Sequence, residues 1–141
     1  MLSFQIELDE LEEEIDSYSR AHIIVGGRFS TISSKLSNKN QSMMIFISLC
    51  DLLYNVRVLL TSPFKKQYNF VGAGCSFQFF IVKKSSNRLI LTSVKNEVID
   101  EVTELELVES IWKGVSSFML QYGNLLNEKE IVKNDLTISI E

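Results

Sequence analysis

Few residues in this chain can do chemistry. His22 is the only imidazole, Cys50 and Cys75 are the only thiols, and a run of carboxylates comprises Asp9, Glu10, Glu12, Glu13, Glu14 and Asp16. A nucleophilic site needs an activating base beside a Ser or Cys. His22 could play that part for Cys50, but it adjoins Ile23 in a stretch rich in β-branched residues, where an imidazole reads as a hydrogen-bonded structural group. No G-x-S-x-G elbow accompanies it. Zinc needs closely spaced Cys and His ligands, whereas the two Cys stand 25 residues apart and a multi-histidine site is impossible. The acidic run lacks the central Gly and the closing Glu of a calcium loop. It reads as a solvated face or as a docking surface, with Glu10, Glu12, Glu13, Glu14 and Asp16 as candidate partner-binding residues. Val25-Gly-Gly-Arg28 and Val71-Gly-Ala-Gly-Cys75 lack the Lys-Ser/Thr of a phosphate loop and are expected at turns or bulges. The expectation is therefore a non-enzyme without catalytic, cofactor-binding or metal residues.

The elements that position these residues follow from periodicity. Leu2, Phe4, Ile6 and Leu8 alternate, which predicts a half-buried strand. Residues 9–19 fit either a helix or a continued strand. Ala21 to Ser30 predicts strands on either side of Gly26-Gly27, and residues 33–41 a polar loop. In 42–62, Ile45, Leu49, Leu52, Leu53, Val56, Leu59 and Leu60 recur at steps of three and four, so a long helix is expected, ended by Pro63. Its apolar start, Met43 to Ile47, also fits a short strand. Ser48, Asp51 and Asn55 draw a polar line on that helix. They either face solvent or, with His22, line a pocket between sheet and helix, as a small enzyme or ligand-binding domain would have.

Residues 67–84 predict a strand pair or one bulged strand, broken at Gly72-Ala73-Gly74. Bulky side chains on both faces of Phe77 to Val82 suggest a central strand covered on both sides. Two further strands, 89–94 and 97–102, complete an antiparallel meander. Thr103 and Glu106 form a capping box that opens a second helix. Its apolar face is Leu105, Val108, Ile111, Trp112, Val115, Phe118, Met119 and Tyr122, and Trp112 is expected in the core, with an exposed anchor as the alternative. The tail includes Leu136-Thr-Ile-Ser-Ile, a short strand or a frayed end. No repeat or linker stands out. The whole predicts a single α+β domain over 1–141: an antiparallel sheet of about five to six strands packed with two long amphipathic helices.

Charge is distributed unevenly. The chain carries 14 basic and 18 acidic residues, a net −4. Residues 1–20 hold seven carboxylates against Arg20 alone, a net −6; residues 21–141 hold 13 basic and 11 acidic groups, a net +2. An acidic block repels polyanions and steers basic partners. Lys65-Lys66 and Lys83-Lys84 are too small to suggest nucleic-acid binding. The aromatics Tyr68, Phe70, Phe77, Phe79 and Phe80 lack an accompanying positive groove and read as core. No apolar run approaches the roughly 18 residues a spanning helix needs, and no basic n-region opens the chain. Cys50 and Cys75 fit buried, reduced thiols, so a cytoplasmic protein is expected, away from membranes.

The single-domain length, the acidic segment Asp9-Glu10-Leu11-Glu12-Glu13-Glu14 and the missing catalytic signatures together resemble small bacterial toxin-immunity proteins of the contact-dependent inhibition type. Met43 to Asn55 and Tyr68 to Phe77 have the same look. The resemblance implies a stoichiometric inhibitor whose partner is a cognate toxin domain, often a basic nuclease. It carries over no functional residue. A homodimeric structural subunit, pairing through an exposed sheet edge, is a further expectation from another class.

Overall fold

The computed structural model describes residues 2–9, 18–35 and 42–122. The acidic run from Glu10 to Asp16 and the tail beyond Tyr122 lie outside them. Among the described residues, eight strands and two helices follow in chain order: β1 (Ser3–Leu8), β2 (Arg20–Gly26), β3 (Thr31–Ser33), β4 (Met43–Met44), α1 (Ile45–Thr61), β5 (Gln67–Val71), β6 (Gln78–Ser85), β7 (Arg88–Ser93), β8 (Val98–Thr103) and α2 (Glu104–Tyr122). The fold is α+β with antiparallel sheets and two long helices.

The strands divide between two sheets of four. In the first, β2 is central and pairs with β1 along one edge and with β3 and β4 along the other. The second is the meander β5-β6-β7-β8. Among the described residues each half thus has the same element order, four strands and then a helix that follows the last strand directly, although the strands are paired differently in the two sheets. The helices then cross over. α1, which leaves β4, packs beside β5, and α2, which leaves β8, lies along β1.

This exchange encloses one core. Phe4 of β1 meets Phe79 of β6 with ring centroids 6.1 Å apart, and Phe70 of β5 stacks on Phe79 at 5.0 Å. Phe46 of α1 and Phe118 of α2 approach to 5.6 Å. Truncating any of these rings to Ala would cost about 3–5 kcal/mol, because a cavity is left behind. Tyr68, Phe70, Phe77 and Phe79 are buried as expected. β6 is central in its sheet, yet only one of its faces is fully covered: Ile81 and Phe79 are buried, whereas Phe80 and Val82 are half-buried on the outer face.

The capping box forms as the sequence predicts. The Glu106 amide donates to Thr103 Oγ1 at 3.2 Å, and the Thr103 amide donates to Glu106 Oε1 at 3.3 Å. The buried stripe of α2 is Leu107, Ile111, Val115 and Phe118. Leu105, Val108 and Trp112 belong to an adjoining exposed stripe, Trp112 being 48% accessible. The expected core position of Trp112 is therefore corrected: the apolar arc of this helix is wider than the surface it packs on. Cys50 and Cys75 are half-buried and are not joined in a disulfide.

Candidate functional site

Alternation along β1 turns Leu2 and Phe4 into the core and leaves Ser3, Gln5 and Glu7 exposed. α2 lies against this strand through Gly114. A Cβ placed there would stand 2.3 Å from the Phe4 carbonyl oxygen, so only glycine lets the helix come this near. No strand pairs with the outer edge of β1 among the described residues. A helix laid against a free edge is one way such an edge is shielded.

Between the exposed side of β1 and the polar flank of α2 runs a groove of about 690 Å³. Its charged lining is Glu7, Glu106, Glu109 and Lys113, three carboxylates to one ammonium, with Ser3, Gln5, Ser110 and Ser117 between them. Glu7 holds Lys35 at 2.8 Å, and Glu106 reaches Arg28 at 3.2 Å. Both pairs are solvent-exposed and contribute little stability. β1 runs directly into the acidic segment: Asp9 follows Leu8, and its amide donates to the Arg20 carbonyl at 3.0 Å. The sequence-derived candidates Glu10, Glu12, Glu13, Glu14 and Asp16 themselves lie outside the described residues.

The other candidate residues are engaged within the fold. His22 is buried, and its Nδ1 stands 2.8 Å from Ser34 Oγ. The same hydroxyl oxygen accepts the Ile23 amide at 3.1 Å. Burial lowers the His22 pKa from its ordinary value, against the opposing pull of Asp9. Which of Nδ1 and Ser34 Oγ donates in this bond is set by the tautomer of the ring.

Asp51 Oδ2 accepts the Tyr68 hydroxyl at 2.6 Å, and Oδ1 accepts the Asn55 amide at 2.9 Å. Burial, and then the bond to Asp51, raise the Tyr68 pKa. Ser48 Oγ accepts the Ala73 amide at 2.9 Å. Ser48 and Asp51 thus tie the helix to β5 and the turn after it, while Asn55 bonds back to Asp51 within the helix and Asp51 itself stays exposed. A shallow depression remains there, lined by Ser48, Asp51, Asn55 and Tyr68. His22, on β2, is not part of it.

Sequence reasoning missed the groove carboxylates Glu7, Glu106 and Glu109. Alternation in β1 places Glu7 on the outer face, but nothing local pairs that strand with α2. Among the described residues no group of three or more His, Cys, Asp or Glu could hold a metal ion, and no helix is long and apolar enough to cross a membrane. Comparison with family models, curated proteins and solved structures returns no match.

Proposed function

We propose that this chain is a non-catalytic, cytoplasmic protein-binding module that neutralises a basic partner, in the manner of an immunity protein bound to its cognate bacterial toxin domain. The observation that carries this reading is the groove between β1 and α2, lined by Glu7, Glu106 and Glu109 against Lys113, together with the acidic run that follows β1 in the sequence; Glu7 and Glu106 would exchange their exposed partners Lys35 and Arg28 for cations of the bound protein. Carboxylates aimed at a basic active site would occupy the place of phosphates, and complementary charge would speed encounter while buried contacts set the lifetime. The engagement of His22 by Ser34, and of Asp51 by Tyr68 and Asn55, supports a structural use of the groups an enzyme would need.

The test is co-purification from native cells with the candidate toxin expressed. A tagged copy should retain one stoichiometric basic protein. A copy with Glu7, Glu106 and Glu109 changed to Lys should retain much less. Recovery of partner-free protein would remove the immunity reading and direct attention to the depression beside Asp51 and Tyr68 as a ligand site.

A further inference from the structure

The two lysine pairs, separate in sequence, meet in the fold. The β5–β6 ladder pairs Gln67 with Val82, and its next step sets Lys66 against Lys83, whose amide donates to the Lys66 carbonyl at 2.9 Å. Like charges directly opposite in an antiparallel pair are unfavourable unless something neutralises them. Lys84 is neutralised by Glu101 at 2.7 Å. Lys83 donates to the Ser62 carbonyl at the end of α1 at 2.8 Å, which uses one of its three protons. Among the described residues neither Lys66 nor Lys83 forms an ion pair.

These groups line a cleft of about 480 Å³ between the end of α1 and the β6–β7 turn. Lys66, Lys83 and Lys84 line it together with Ser85 and Ser86, against the single acidic residue Glu104; the Lys84 ammonium is already held by Glu101, which leaves Lys66 and Lys83 as the unpaired cations. Lys65 adjoins them in sequence. In a chain of net −4, this corner holds an uncompensated positive charge.

We infer that this cleft is an anion site for a phosphate group, carried by a small phosphorylated molecule or a phospholipid headgroup. Ammonium donors beside hydroxyls suit a phosphate's several acceptor oxygens, and binding would relieve the repulsion between Lys66 and Lys83. Three lysines, one of them already paired, are too few to track a nucleic-acid backbone. The site is distinct from the acidic groove, lined by other residues of the fold.

Pyrophosphate titrated into the full chain, followed by amide NMR, tests this. Saturable shifts at Lys66, Lys83, Ser85 and Ser86 are expected, with a Kd below about 1 mM. K66Q/K83Q should weaken binding roughly tenfold or more. Vesicles containing phosphatidylserine form the second arm. Retention on them, lost in K66Q/K83Q, would support the same site with a lipid as the source. Absence of saturable binding in both arms would overturn the assignment, as would shifts confined to other residues. The unsubstituted protein decides this even if the variant fails to fold.

Discussion

Gly114 of α2 rests on the carbonyl oxygen of Phe4, and a Cβ at position 114 would lie 2.3 Å from it. The contact fixes how near the helix comes to the free edge of β1, and so the shape of the acidic groove. Gly114→Val should push the helix away and destabilise the protein by about 1–3 kcal/mol, the usual cost of overpacking. Urea denaturation would show a lowered midpoint. Partner affinity should fall as well, since the two walls of the groove would separate.

Tyr68→Phe tests whether the polar line of α1 is structural. The variant leaves Asp51 without its 2.6 Å donor while Asn55 still bonds it. A loss of about 1 kcal/mol is expected, typical for one hydrogen bond net of solvation. Partner binding at the β1–α2 groove should be unchanged. Thermal denaturation and a binding assay on the same sample separate the two effects.

His22 makes stability depend on pH in a definite direction. Burial holds its folded pKa below the ordinary 6.5, so on acidification the unfolded chain takes up its proton first. The contribution is intact above the unfolded value and declines as the pH falls through it toward the folded value. Urea midpoints should therefore drop on acidification from neutrality, and His22→Gln should flatten that part of the profile. Glu101 acts at lower pH: bonds from Lys84 and then Arg88 lower its pKa, so its contribution is lost as the carboxylate protonates. That lower limb should survive in His22→Gln.

The parts of the fold legible in the sequence were those with local causes. Thr103 and Glu106 cap α2 because the box needs only residues three apart. The alternation of Leu2, Phe4, Ile6 and Leu8 likewise gives β1 its faces. Which part of α2 is buried was not legible: its apolar residues cover too wide an arc, and packing on β1 selects Leu107 and Ile111 over Leu105 and Trp112. Met43 and Met44 pair with Ala21 and Arg20 before the helix starts, an alternative the apolar run allowed but could not decide. The division into two sheets, the exchange of helices and the meeting of Lys66 with Lys83 depend on long-range pairing. Of the candidate site, the acidity of the run from Asp9 onward was visible in the sequence, but the groove was not, because Glu7 and Glu106 are brought to it by topology.

The central claim is that the carboxylates of the acidic run and those of the β1–α2 groove steer a basic protein onto this chain. Association kinetics with that partner, measured across ionic strength, test it most directly. Reversing Glu10, Glu12, Glu13, Glu14 and Asp16 to Lys, with Glu7, Glu106 and Glu109 reversed in a second variant, should slow association about tenfold or more at low salt and weaken its salt dependence. Association rates and affinities unchanged in both variants would contradict the account and leave the acidic residues as a solvated face.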